Sequence, residues 1–345
     1  MDKKKRKVIL QTLFLLFLVV GSYWVIKHND GRSPFEKPNE RVWENEGMVF
    51  GTTYHISYQF RRDLHNDIRQ AMQEVDGALS MFNAESALTQ INNGSTDASN
   101  LLVQDVLTLA LEVSKDTHGS FDVTVAPLVN AWGFGFKNGQ LPDSTQVDSI
   151  LQFVGYESIH LEGNRLTKDD SRTILDCSAI AKGYGCDHVA RLMERMGVKN
   201  YMIEIGGEVV CHGKNRKGKA WSIGVCRPVE DGNEGNEAVL QLTDRAMATS
   251  GNYRNYYVTE DGRKLAHTID PHSGYPVQHS ILSSTVIAPT CAQADAYATS
   301  FMVMGVDSAM AFANRHPEME AFIIYADEKG EMHDLYTKGL EKYLK

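Results

Sequence analysis

Ten residues constrain this chain more than any others: His267-Thr268-Ile269-Asp270-Pro271-His272-Ser273-Gly274-Tyr275-Pro276. Pro271 fixes its own φ, Ser273-Gly274 supplies a turn that tolerates positive φ, and Pro276 starts the next extended segment. A turn alone does not call for two histidines and an aspartate. Histidine titrates near neutral pH, and carboxylates hold Mg²⁺ or orient an imidazole. The loop is therefore a site candidate, with a plain polar hairpin as the alternative. Further along, Asp295 and Thr299 stand four apart, on one face of a helix expected over 293–304. Carboxylate plus hydroxyl is an oxygen site for a hard cation such as Mg²⁺, which takes few protein ligands and keeps substrate phosphates for the rest. The structural alternative has Asp295 capping its helix and Thr299 bonding back to a carbonyl.

The N-terminus sets topology. Lys3-Lys4-Lys5-Arg6-Lys7 precedes a mostly apolar run from Val8 to Ile26, interrupted only by Gln11, Thr12 and Ser22 among polar side chains. A helix needs roughly 20 residues to cross the hydrocarbon core, and this run just reaches that length. The cations hold residues 1–7 in the cytoplasm, so 8–26 is expected to be an uncleaved transmembrane signal anchor. The body then emerges on the periplasmic side of a bacterial inner membrane. A cleaved signal peptide is the rival, with Val19-Val20-Gly21 as a weak cleavage site, but the apolar run continues past it. Residues 27–46 are polar, carry Pro34 and Pro38, and read as a linker to a domain spanning 47–345.

That domain is long enough for one large body or two intimately packed lobes. A net charge of -9, with the basic block confined to the N-terminus, argues against a nucleic-acid surface. Five scattered cysteines form no CxxC pair and receive no chemistry.

Along the chain, Gly47–Tyr58 reads as one strand with Gly51 marking a bulge or close approach, and Leu64–Leu79 as an amphipathic helix. Phe82 at its end is core or a stacking platform. A helix over 101–117 leads to Ser120-Phe121-Asp122 and to alternating glycines and aromatics at 132–136, either a loop approaching a flat ligand or an aromatic core. Thr173–Asp176 reads as a strand ending in a carboxylate, and Ser178 as the cap of the helix that follows. That helix opens Ala179-Ile180-Ala181-Lys182-Gly183-Tyr184-Gly185. Two early glycines cost roughly 1 kcal/mol each against alanine, which implies that something lies close to the backbone. A phosphate suits a helix N-terminus; Lys182 either joins it or pairs with Asp187. A strand over 201–210 broken by Gly206-Gly207, a small polar turn over 248–253 and a closing strand at 321–325 complete the outline. Strands and helices mix without strict alternation, which favours α+β over a doubly wound sheet. There is no P-loop, no G-x-G-x-x-G after a strand, no G-x-S-x-G elbow and no H-E-x-x-H. The residues alone reach extracytoplasmic, Mg²⁺-dependent chemistry on a nucleotide-like phosphate.

Seven motifs in order go further: Gly-Met-Val-Phe-Gly-Thr (47–52), Phe-Asp-Val-Thr-Val-Ala-Pro-Leu-Val (121–129), Asp176 through Ala-Lys-Gly-Tyr to Asp187, Gly206-Gly207, Ala-Thr-Ser-Gly-Asn-Tyr (248–253), His-Thr-Ile-Asp-Pro (267–271) with Gly274 and Pro276, and Asp295 with Thr299. Over nearly all of 47–336 the chain closely resembles the ApbE family of flavin transferases. The resemblance implies a two-lobed α+β, T-fold-related domain with mixed or antiparallel sheets and flanking helices. It also implies an enzyme that splits FAD beside Mg²⁺, joins FMN through its phosphate to a threonine or serine of a target protein, and releases AMP. On that resemblance Asp295, Thr299, Ala179 and Ala298 hold the metal. Met48, Phe82, Ser120, Phe121, Asp122, Asp176, Lys182, His267 and Ile269 contact FAD. His267 is expected as the base, and Asp270 shapes the catalytic loop beside it. The acceptor it suggests is a subunit of a membrane redox complex. Hydrolysis of FAD to FMN and AMP, or a non-catalytic flavin carrier, are the competing readings.

Overall fold

The computed structural model describes residues 16–17, 21, 40–135, 141–228, 235–252, 256–258 and 264–345. Nearly all of the expected anchor, and the linker up to residue 39, lie outside them. Among the described residues no helix is long and apolar enough to cross a membrane.

Eight strands form the central sheet: Arg41–Val49, Thr52–Phe60, Tyr201–Ile205, Glu208–His212, Arg245–Gly251, Ile281–Ala288, Glu320–Ala326 and Met332–Tyr336. They lie across the sheet in chain order. From Thr52–Phe60 onward each neighbouring pair is antiparallel. Helices and small hairpins are therefore insertions between successive strands, the α+β arrangement expected. Val42–Lys345 cluster into one compact unit, in keeping with one large body or two intimately packed lobes. The helices Ala181–Met196 and Cys291–Met304 join its parts. A Cβ on Gly183 would stand 2.3 Å from the Cys291 carbonyl oxygen, so only glycine lets these helices meet. Gly185 likewise receives the Phe50 ring. The sequence signal of close approach was sound, but the neighbours are protein.

Periodicity located the helices well. His65–Leu79 buries Ile68, Met72, Val75 and Leu79, and Leu101–Asp116 buries Val103, Val106, Ala110 and Val113 behind an Asn100 cap. Cys291–Met304 is buried on most sides, with Ala294, Ala298 and Phe301 at full burial.

Five expectations fail for physical reasons. The sheet begins at Arg41, so residues 41–46 of the expected linker are strand; Phe50 (φ 50°) and Gly51 (φ 72°) make a turn where one continuous strand was expected. Thr173–Asp176 is extended without being a strand, because the Asn92 side chain serves both the N–H and the carbonyl of Leu175 at 2.8 Å. Residues 245–251, read partly as a polar turn, are an inner strand. Its small Ala246 and Ala248 are fully covered, and Ala248 packs in one core with the Cys291–Met304 helix. Ser178 caps nothing: the helix starts at Ala181 without a side-chain cap, and the Ser178 N–H instead donates to Asp176 Oδ1 at 2.7 Å.

Candidate active site

The Gly206-Gly207 turn delivers the residue that organises the site. Both glycines have positive φ (62° and 100°), as a two-residue hairpin turn requires, and Ile205 pairs with Glu208 across it. Glu208 therefore enters a cleft of about 400 Å³ with a side chain only 3% exposed. Its Oε1 lies 3.0 Å from Lys182 Nζ, which in turn lies 3.7 Å from Asp295 Oδ2. The Gly183 N–H donates to the same Asp295 oxygen at 3.0 Å. Asp295 thus neither caps its helix nor stands alone; Thr290 is the cap.

Two buried carboxylates share one ammonium. Burial works against the charge on Lys182, but the Asp295 and Glu208 carboxylates more than offset it and hold the group above its ordinary value. Burial and then Asp295 push Glu208 up, while Lys182 pulls it back; the net direction is upward. Glu208 Oε2 is buried without a hydrogen-bond partner. A buried ionised oxygen left unmatched costs several kcal/mol, so the cluster is built to receive another proton or cation. Beside it Thr299 Oγ1 lies 3.0 Å from Ser250 Oγ, and Ala179 lines the same wall. The donors are all oxygens, the set that Mg²⁺ selects. The residues fit that ion.

His267, Thr268, Ile269 and Pro271 form another part of the cleft lining. The His267 ring meets Phe134 edge-on, with centroids 6.4 Å apart. Asp270 does not line the cleft. Its carboxylate accepts from the His272 N–H at 2.9 Å and from Ser273 Oγ at 2.8 Å, and contacts His272 Nδ1 at 3.0 Å. His272 Nε2 reaches the His118 carbonyl at 2.7 Å, and Trp132 Nε1 donates to the Gly274 carbonyl at 2.7 Å. Gly274 (φ 76°) sits against Val147, where a Cβ would stand 2.5 Å from a methyl carbon. The loop is thus fastened to the 118–132 segment by side chains outside the cleft.

This clasp has a pH dependence. Burial lowers His272, but the His118 carbonyl and the Asp270 carboxylate raise it above its ordinary value overall. Asp270 shifts downward, its accepted hydrogen bonds outweighing burial. Only the imidazolium donates to both Asp270 and His118. Because the folded-state value is raised, the contribution is complete below the unfolded histidine pKa and is lost as pH rises through the raised one. Affinity for the flavin that the family resemblance implies is expected to weaken on that alkaline side in the parent chain. His272→Gln removes that step; titrating FAD binding against pH in both checks it.

Ser120, Phe121, Asp122, Asp176, Lys182, His267, Ile269, Ala179, Asp295 and Thr299 all line the one cleft. Asp122 is occupied internally: Oδ1 accepts from the Thr124 N–H and hydroxyl, Oδ2 from the Tyr156 N–H, and burial raises it. Phe82 lines an adjoining groove of about 620 Å³ that shares Ser178 and Lys182 with the cleft. Met48 is 71% exposed at a strand end and lines neither, and Ala298 is fully buried behind the wall. Lys182 does not pair with Asp187, which accepts from the Cys291 and Ala292 N–H groups and fixes the start of their helix. Glu208 was missed; an acid directly after two glycines and before a Val-Val run was the available signal.

A profile of the ApbE family matches residues 50–323. The FAD:protein FMN transferase of Haemophilus influenzae is 36% identical over 307 residues, 84% of this chain and 88% of that protein. The FAD:protein FMN transferase of Vibrio cholerae is 36% identical over 304 residues, 85% of this chain and 90% of that one. Among solved structures, the flavin transferase ApbE from Vibrio cholerae superposes with a TM-score of 0.80 at 33% identity, covering 88% of this chain and all of that one. The apo flavinyl transferase ApbE of Pseudomonas stutzeri gives 0.78 at 28% identity, covering 90% and 98%.

Proposed function

The chain belongs to the ApbE family, and from that membership and its cleft we propose that it is an FAD:protein FMN transferase. The observation that carries the reading is one cleft lined by His267, Lys182, Asp295 and Thr299. FAD is the substrate, and the reaction moves its FMN phosphoryl group to a threonine or serine hydroxyl of an acceptor protein, with AMP as the leaving group. Asp295, Thr299 and the Ala179 segment would hold Mg²⁺, which supplies charge neutralisation on the diphosphate.

The chain's own groups do the rest. Lys182, kept cationic by its two carboxylates, faces the cleft to meet phosphate oxygens. His267 accepts the acceptor's hydroxyl proton as the oxygen attacks phosphorus. Asp270, one residue beyond Ile269, orients the loop without touching the cleft. The domain works outside the cytoplasm, carried by the anchor at residues 8–26, and its acceptor is a membrane redox subunit.

Incubating the chain with FAD, Mg²⁺ and a threonine-bearing acceptor tests this. The expected result is acceptor mass raised by one FMN less one water, with one AMP released per transfer. Free FMN and AMP with unmodified acceptor would overturn transferase activity in favour of hydrolysis. FAD recovered intact would leave only a carrier.

A further inference from the structure

The loop between Glu208–His212 and Trp221–Cys226 carries a second basic run, Lys214-Asn215-Arg216-Lys217-Gly218-Lys219: four cations in six residues of a chain whose net charge is -9. Basic residues are therefore not confined to the N-terminus. All four are exposed, and so is Lys199 beside them. None of the five takes part in an ion pair among the described residues. The nearby acids are already engaged: Glu44 by His55 at 3.1 Å and Ser57 at 2.9 Å, Asp244 by His212 at 2.8 Å and the Gly213 N–H.

The loop is built to hold its shape. Asn215 Oδ1 accepts from the Lys217 and Lys219 N–H groups at 2.9 and 3.2 Å, its amide donates to the Ala220 carbonyl, and its own N–H donates to the Lys219 carbonyl. An uncompensated set of like charges on an ordered loop is repulsive in isolation, and an anionic surface relieves it.

Its position names that surface. Arg216 and Lys217 share a groove of about 340 Å³ with Val42 and Glu44, the opening residues of the strand into which residues 27–40 lead. Fully extended, that stretch reaches at most about 50 Å, so this edge is tethered within that distance of any bilayer that holds residues 8–26. The same hairpin carries Glu208 into the cleft at one end and pairs Tyr201 with His212 beside the basic loop at the other. We propose that Lys214, Arg216, Lys217 and Lys219 form a membrane-contacting face for anionic phospholipid headgroups. That contact orients the domain with its cleft end away from the bilayer. The inference rests on the anchor proposed above.

The test uses the full chain with nanodiscs of phosphatidylcholine alone or mixed with phosphatidylglycerol, and acetylation of each lysine read by mass spectrometry. Acetylation of Lys214, Lys217 and Lys219 is expected to slow by more than about threefold in the anionic discs only, and to recover at about 1 M salt, where screening shortens to about 3 Å. Lys329, in the turn before Met332–Tyr336, serves as the unaffected reference. Equal rates on both disc types in disc-bound chain would overturn the lipid face while leaving the anchor standing. A chain that associates with neither disc removes the anchor and this inference together.

Discussion

Replacing His267 with alanine is expected to leave FAD bound and to slow transfer by about 10²–10⁴-fold, the usual worth of a positioned general base. The hydroxyl of threonine is a weak nucleophile, and its proton must leave as the bond to phosphorus forms. Among the groups facing the cleft, Lys182 is held charged by two carboxylates and has no lone pair to offer. Asp122 has both oxygens committed to Thr124 and Tyr156. His267 lines the wall, and histidine is the side chain whose ordinary pKa suits proton exchange at neutral pH. Its removal leaves the loop fastened, since His272, Asp270 and the Gly274 carbonyl hold the clasp independently. Flavin fluorescence gives the binding constant, and the rate of covalent flavin appearance gives transfer. A variant transferring within severalfold of the parent would take His267 out of the proton step.

The contrast between these residues shows what sequence carries and what it does not. Asp295 and Thr299 were legible because helical periodicity puts positions four apart on one face, whatever surrounds the helix. The 267–276 loop was legible because proline and glycine restrict the backbone locally. Gly183 signalled close approach, but a glycine does not say whether a ligand or another helix fills the space; here it is the Cys291 carbonyl. Glu208 was hidden because its role depends on pairing. Only the antiparallel register, with Ile205 opposite Glu208, shows that the acid turns into the cleft and meets Lys182. The failed strand at 173–176 has the same origin. Local pattern gave extended backbone, while a side chain more than eighty residues away, Asn92, took the hydrogen bonds that a neighbouring strand would have made.

Asp295→Asn is expected to cost about 10²–10³-fold in transfer at ordinary Mg²⁺, with the fold intact. The choice of asparagine matters. Alanine would leave the buried Gly183 N–H without its acceptor, an expense of about 1–3 kcal/mol that would mix stability with chemistry. Asparagine keeps an oxygen for that N–H and removes only the charge. Lys182 then has Glu208 as its sole carboxylate, and the cluster changes from one excess negative charge to none with both acids of the parent ionised. With that excess gone, the pull on a divalent cation falls. Raising Mg²⁺ well above the parent's requirement should recover part of the rate, and calorimetric titration should show weaker cation binding while the melting temperature changes little. Glu208→Gln removes the same unit of charge while leaving the Asp295–Thr299 pair whole, so the two variants separate long-range charge from direct coordination. A common response to added Mg²⁺ would mean that charge alone matters. A deficit in Asp295→Asn that Mg²⁺ repairs, without a counterpart in Glu208→Gln, would assign Asp295 to the metal. Unchanged transfer and unchanged cation affinity in Asp295→Asn would remove the 295/299 pair from the chemistry altogether.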